Sequence, residues 1–296
     1  MALIADALNS RPGLQRRLFF LARRFVPGET IESAIQAVKQ LNGYGLSATL
    51  DFLGEDVLNE REAAHTTQTY LEMIDRINAS GVDSNVSVKL SAIGQAIGED
   101  LALTNLELIV AKARPTGMFV RLDMEGSGTV DSTYRICDRA RATYENVGPV
   151  VQAYLKRAAA DVENHVKAGV RVRLCKGAYR EPPELAYQKM SDIRRNYIDL
   201  ARSLLANGKY PGIATHDDNL IDAVLAFVDT QKIPADRFEF QMLYGIRPEK
   251  QRAIVAAGHR LRVYIPFGTH WAGYFARRLA ERKENVFFVV RSLFSK

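Results

Sequence analysis

Residues 147–175 read VGPVVQAYLKRAAADVENHVKAGVRVRLC. Two short apolar runs, 147–153 and 170–175, flank a helix-like segment at 155–167. A strand, a helix and a second strand in that order make a βαβ unit, and a series of such units builds a parallel sheet. The alternation continues outward in both directions. Further runs lie at 46–53, 86–90 and 118–124 on one side, and at 212–214, 238–243 and 261–267 on the other. Helices are predicted over 60–78, 105–113, 131–144, 185–205, 220–230, 249–257 and 271–282. Eight such repeats in about 240 residues have the count and length of a (β/α)8 barrel, a TIM-like α/β fold. A doubly wound sheet is the alternative, but no Gly-rich phosphate fingerprint follows the first run. Two extra helices are predicted ahead of the barrel, 13–25 and 31–41. The second carries Ile31, Ala34, Ile35, Val38 and Leu41 on one face, the spacing of an amphipathic helix. Residues 1–43 are expected to pack on a barrel formed by 44–296, one domain in all.

Composition agrees with a globular protein. Of the 296 residues, 47% are apolar and 25% charged, which excludes disorder, collagen-like repeats and coiled coil. The longest apolar run, 286–290, falls far short of the roughly 20 residues of a membrane span. Arg11, Arg16 and Arg17 interrupt the opening, so no secretory leader is expected. Cys137 and Cys175 match no metal or redox spacing, which leaves no metal site predicted and a reducing cytoplasm as the default. The net charge of +6 fits a solvated basic surface first and attraction to an anionic membrane surface second. No zinc-finger, RNP-like or basic-zipper pattern supports a nucleic-acid partner.

The strand ends carry more information than their number. Asp51 and Glu55 follow the first run, Lys89 ends the second, and Asp123 and Glu125 end the third. Gln152 ends the fourth, Arg173 and Lys176 the fifth, and Thr215 and His216 the sixth. Gln241 lies in the seventh and Tyr264 in the eighth. Each residue alone is explained as a satisfied polar group leaving the sheet. As a set they fall where the C-terminal mouth of such a barrel builds its active site.

Two constellations stand out. In the final helix Tyr274, Arg277, Arg278 and Glu281 are three or four residues apart and share one patch. Adjacent guanidiniums match a carboxylate or phosphate bidentately; the plain reading is a solvated outer face. The segment 172–179, VRLCKGAY, closes a strand with Arg173 and Lys176. Gly177 then permits close backbone approach to a ligand, though a tight turn explains it as well. With Thr215 and His216 it suits an anionic group of a cofactor, whereas Asp217 or Asp218 also serves as a helix N-cap.

These segments resemble the proline dehydrogenase family. VSVKLSAIG (86–94), RLDMEG (121–126), VRLCKGAYRE (172–181), ATHD (214–217), FEFQMLYG (238–245) and VYIPFGTHWAGYFARRLAER (263–282) are similar to its motifs. They occur in order from about residue 25 onward, and the short, single-activity bacterial members are the nearest in kind. The resemblance implies a (β/α)8 flavoprotein that oxidises L-proline to Δ1-pyrroline-5-carboxylate, the first step of proline degradation to glutamate. Electrons pass to FAD and then to a membrane quinone. It further implies a cytoplasmic protein held peripherally at the inner face of the membrane, and allows a homo-oligomer.

By the same resemblance, Arg277, Arg278 and Lys89 clamp the substrate carboxylate, Tyr264 covers the ring and Leu243 forms an apolar wall. Asp123 and Arg173 are active-site positions, with Arg173 near the reactive nitrogen of the flavin. Met124, Gln152, Lys176, Gly177, Ala178, Thr215 and His216 contact FAD. Glu55 pairs with Arg277 as a gate. Cys175 departs from the pattern, which has a plain aliphatic residue there. Membrane contact is expected from the basic surface and from Phe287, Phe288, Leu293 and Phe294, although Phe287 and Phe288 also suit docking on the barrel.

The residue types suit the chemistry. Hydride leaves the carbon beside the ring nitrogen only when that nitrogen has lost its proton. Cations at the substrate, Lys89, Arg277 and Arg278, disfavour the ammonium form. Arg173 offers a fixed charge to the reduced flavin. Tyr264 would crowd a ring hydroxyl, which favours proline over hydroxyproline. Two other classes remain: a Schiff-base aldolase using Lys89 or Lys176 as nucleophile, and a non-catalytic binding protein.

Overall fold

The computed structural model describes residues 19–281; in the last helix the side chains of Arg277 and of residues 279–281 lie outside the description. The elements run α1 (Ile31–Asn42), β1 (Ser47–Phe52), α2 (Glu60–Ser80), β2 (Ser84–Val88), α3 (Glu99–Ala113), β3 (Val120–Leu122), α4 (Val130–Arg141), β4 (Val147–Gln152), α5 (Ala158–Lys167), β5 (Arg173–Cys175), α6 (Met190–Asn207), β6 (Gly212–Ala214), α7 (Asp218–Thr230), β7 (Glu239–Leu243), α8 (Pro248–Ala256), β8 (Leu261–Phe267) and α9 (Trp271–Glu281). Each strand pairs in parallel with the next, and β8 returns to β1 with Ala48 opposite Val263 and Leu50 opposite Ile265. The sheet is a closed (β/α)8 barrel.

Side chains alternate along every strand, and here the two faces differ in chemistry. Ala48, Leu50, Val86, Val88, Val120, Leu122, Val172, Leu174, Phe240, Met242, Val263 and Ile265 face outward. They pack with Ile35, Val38, Tyr70, Ile74 and Ile109 of the helices in the main core. The alternate residues face the axis: Thr49, Asp51, Ser87, Arg121, Arg173, Glu239, Gln241 and Arg262. Barrels of this class usually fill the interior with bulky branched residues; this one fills it with a hydrogen-bonded polar network. Arg121 donates to the carbonyls of Pro149 (2.7 Å) and Arg171 (2.6 Å). Arg262 donates from Nε to both oxygens of Glu239 (2.9 and 3.1 Å), and from Nη1 to the carbonyl of Ala48 (2.6 Å). The strand positions opposite these long side chains are small. A Cβ at Gly212 would stand 2.5 Å from Gln241 Nε2.

Two predicted helix starts move by five residues or more. The third helix begins at Glu99 rather than 105, because Ala102, Leu103 and Leu106 already share its buried face. The helix predicted from 185 begins at Met190. The preceding stretch is tied across the β4 loop, with Lys156 N–H donating to Leu185 O (2.9 Å) and Tyr187 N–H to Tyr154 O (2.8 Å). The predicted helix at 13–25 falls partly outside the described residues; residues 19–22 are helical. Leu21, Phe25 and Val26 pack there with Leu53, Ile246, Trp271 and Phe275 in a second cluster at the C-terminal mouth. That cluster seats α9 beside the barrel opening. Among the described residues, no helix is long and apolar enough to cross a membrane.

Candidate active site

The inward residues at the C-terminal ends of β1, β2, β3, β5, β7 and β8 converge on one network. Lys89 Nζ lies 2.7 Å from Asp51 Oδ2, 3.5 Å from Asp123 Oδ2 and 3.1 Å from the Tyr264 hydroxyl. Tyr264 donates to Asp123 Oδ2 at 2.8 Å. Asp123 Oδ1 accepts from Ser87 Oγ and from Arg173 Nη1, both at 2.6 Å. Arg173 is held from its other side, since Nε donates to Gln241 Oε1. The Gln241 amide donates in turn to Glu239 (2.6 Å), which can only accept. That fixes the amide orientation and leaves its carbonyl for Arg173.

The electrostatics follow from burial and pairing. Burial opposes charge on Lys89, but Asp51, Asp123 and Glu55 outweigh it and hold its pKa well above the ordinary lysine value. Burial also opposes the Asp123 carboxylate, yet Lys89 and Arg173 keep its pKa below the usual range. For Asp51 burial prevails and raises the pKa to about 6. An ammonium this strongly held is a poor nucleophile, which weighs against a Schiff-base role for Lys89. The pairing tempers the effect of the Lys89 charge on a substrate amine. Asp51 and Asp123 compensate its charge.

This network floors a cleft of about 1230 Å³, larger than the ~300–1,000 Å³ typical of a single small-molecule pocket. Glu55, Lys89, Asp123, Met124, Gln152, Arg173, Lys176, Gly177, Ala178, Thr215, His216, Leu243, Tyr264 and Arg278 all line it. The side chain of Arg277 lies outside the described residues, as do Phe287, Phe288, Leu293 and Phe294. Arg278 sits over the ring of Tyr274, 5.2 Å from its centroid; Tyr274 is buried. This edge of α9 faces the cleft.

The far wall is built by the loops after β4, β5 and β6. Gly177 has φ +105°, and a Cβ there would stand 2.2 Å from the ring of Tyr154. The turn therefore lies flat on that ring and presents backbone to the cleft. Lys176 Nζ (3.2 Å) and Arg194 Nε (2.8 Å) share Asp217 Oδ2, and Asp217 also caps α7 through the amide of Asn219. His216 Nε2 accepts from the amide of Leu243 (2.8 Å), and Arg247 Nη1 donates to the carbonyl of His216 (2.7 Å). These bonds fix the β6 and β7 loops to each other. Gln152 donates to the carbonyls of Met124 (3.4 Å) and Glu125 (3.2 Å), while its buried Oε1 meets no donor among the described residues.

The profile of the proline dehydrogenase family matches residues 34–291. The chain belongs to the proline dehydrogenase family. Proline dehydrogenase 1 of Bacillus subtilis subsp. natto is 42% identical over 275 residues, covering 93% of this chain and 91% of that protein. The proline dehydrogenase of Deinococcus radiodurans is 42% identical over 284 residues, covering 94% and 92%. Among solved structures, proline utilization A from Bdellovibrio bacteriovorus, inactivated by N-propargylglycine, superposes with a TM-score of 0.84 at 27% identity. The match covers 90% of this chain and 33% of that one, so the chain spans about a third of that longer protein.

Within this proline dehydrogenase barrel, residues to which the sequence assigned no role complete the site. Asp51 and Gln241 appear in the sequence only as polar strand-end positions. Ser87 carries no signal beyond a polar residue between two valines. Glu125 accepts from the hydroxyl (2.6 Å) and amide (3.2 Å) of Ser91. Ser91 also accepts the Asp56 amide (3.3 Å), which ties down the loop that carries Glu55.

Proposed function

We propose that the protein oxidises L-proline to Δ1-pyrroline-5-carboxylate with FAD as acceptor, and passes the electrons to a membrane quinone. The observation that carries this reading is the joining of two walls in one cleft. The Lys89–Asp123–Tyr264–Arg173 floor suits a small zwitterion. The flat Gly177 turn and the unmet Gln152 Oε1 suit a planar heterocycle with its own hydrogen-bond donors. The residues present therefore fit FAD: Met124, Gln152, Lys176, Gly177, Ala178, Thr215 and His216 would hold it.

Bound FAD supplies the two-electron acceptor for hydride from the carbon beside the ring nitrogen. The protein's part is binding, orientation and charge. Arg278 and Arg277 fork onto the carboxylate, Tyr264 covers the ring and Leu243 walls its apolar edge. Glu55, on the loop after β1, closes the site against water. Arg173, gripped by Asp123 on one side and Gln241 on the other, is a preorganised cation for charge that develops during oxidation. Lys89 completes the polar floor. We further place the protein in the cytoplasm, meeting the membrane peripherally through its basic surface; a homo-oligomer is compatible with this reading.

The test is a visible spectrum. The purified protein is expected to be yellow and to bleach on anaerobic addition of L-proline. A colourless protein that FAD does not reconstitute overturns the reading.

A further inference from the structure

Two buried carboxylates share Lys89, but their surroundings differ. Both oxygens of Asp123 are engaged: Oδ1 by Ser87 and Arg173, Oδ2 by Tyr264. Asp51 is fully buried; its Oδ2 is engaged by Lys89 at 2.7 Å, and the Tyr264 hydroxyl also bears on this carboxylate. Its Oδ1 is buried and meets no donor among the described residues. We propose that Asp51 is the proton store of this site, receiving through Lys89 Nζ the proton that the substrate's ammonium must lose before its ring carbon is oxidised. The proposal rests on the proline-oxidising reading above.

The geometry supplies the route. Asp51 is the last inward residue of β1, behind Lys89, and Lys89 lines the cleft. The groups facing Asp51 are Lys89 from just past β2, Asp123 from the β3 loop, Tyr264 from β8 and Tyr70 from α2, with Glu55 and Arg173 farther out. Tyr70 is occupied, donating to Ser87 O (2.6 Å) and accepting from the Phe52 amide (3.3 Å). Tyr264 commits its proton to Asp123 Oδ2 (2.8 Å), so Lys89 is the bridge between Asp51 and the cleft. Burial raises the Asp51 pKa to about 6, whereas Lys89 and Arg173 hold that of Asp123 low despite burial. Neighbouring acids pushed apart in this way take different roles: Asp123 stays a fixed anion, and Asp51 is able to accept.

The step balances. An N–H bond of Lys89 breaks as its proton goes to Asp51 Oδ2, and an N–H bond of the substrate ammonium breaks as its proton goes to Lys89 Nζ. Lys89 ends as it began, an ammonium. Asp51 becomes a neutral acid, the amine is neutral, and its lone pair assists departure of hydride to the flavin. No electrons move in the proton step. Asp51 later returns its proton to solvent by the same route. Asp51 is thus a positioning residue acting through Lys89.

The experiment follows anaerobic flavin reduction by saturating L-proline against pH, in wild type and in Asp51→Asn. In wild type the rate should rise with pH to a midpoint near 6 and then level off. Asp51→Asn should be about a hundredfold slower at pH 7, within the range of lost acid–base catalysis. Its rate should then keep climbing about tenfold per pH unit towards pH 9, because the amine must now lose its proton directly to solvent. Binding of the ring-oxygen analogue of proline, which has a carboxylate and no N–H, should be unchanged. In the oxidised holoenzyme, the Asp51 carboxyl ¹³C signal should titrate near pH 6. Asp51→Glu, which keeps a carboxylate, should keep the plateau, and it serves if Asp51→Asn does not fold. A wild-type-shaped profile in Asp51→Asn, a climbing profile in Asp51→Glu, or a carboxyl that titrates in the ordinary Asp range overturns the proposal. Failure of the functional reading is separate: wild type itself would then not be reduced by proline at any pH.

Discussion

Arg173 Nη1 and Asp123 Oδ1 meet 2.6 Å apart, with both side chains about nine-tenths withdrawn from solvent. Removing one member of such a pair leaves the other buried and uncompensated. Asp123 also compensates Lys89, so Asp123→Ala should destabilise the protein by about 3–5 kcal/mol. Urea unfolding midpoints, read with the slope unchanged, measure this. A loss below about 1 kcal/mol would show that the pair relaxes onto other partners.

Gly177→Ala tests the flat turn. The positive φ is strained for any side chain, and the new Cβ meets the ring of Tyr154. The variant should lose more than about 1 kcal/mol and retain less FAD after gel filtration. Adding Tyr154→Leu should recover part of the flavin content, because it removes the ring that the Cβ strikes. Equal loss in the single and double variants would exclude that contact as the cause.

Arg278→Lys keeps the charge at the cleft edge but loses the planar fork. A charge-assisted hydrogen bond is worth about 1.5–3 kcal/mol, so the KM for proline should rise roughly ten- to a hundredfold. Glu55→Ala should weaken proline binding without releasing FAD, whereas Arg173→Ala should perturb the flavin spectrum. A wild-type KM in Arg278→Lys would show that its fork is not used for the carboxylate.

His165 gives a pH dependence outside the site. It is buried against Tyr134, with ring centroids 4.6 Å apart. Burial pulls its pKa from 6.5 to about 4. As pH falls below 6.5 the unfolded chain takes up a proton that the folded protein refuses until about pH 4. Stability is therefore lost across that window, by about 3 kcal/mol. His165→Phe should remove this loss while keeping the ring contact. Thermal unfolding at pH 7.0 and 4.5 in both proteins measures the difference.

Strand–helix alternation was enough to call the barrel, because each βα unit declares its period locally. The strand positions were legible to within a few residues for the same reason. The start of α6 was not, because residues 185–187 close a turn from Pro182 and are bonded across to Tyr154, Leu155 and Lys156. The ionisable strand ends pointed to the site, since a barrel gathers its C-terminal strand ends at one mouth.

What the sequence could not decide was which of these charges remain charges. Lys89, Asp51 and Asp123 stand 38 and 34 residues apart in pairs along the chain, and nothing local reports their distances. Only closure of β8 onto β1 brings Tyr264 onto Lys89 and Asp123, and Asp51 behind them. Residue identities and strand periodicity determined the barrel and its polar mouth. Burial and pairing are properties of the closed barrel. They hold the Asp123 pKa below its usual range, set the Lys89 ammonium against two carboxylates, and raise the Asp51 pKa.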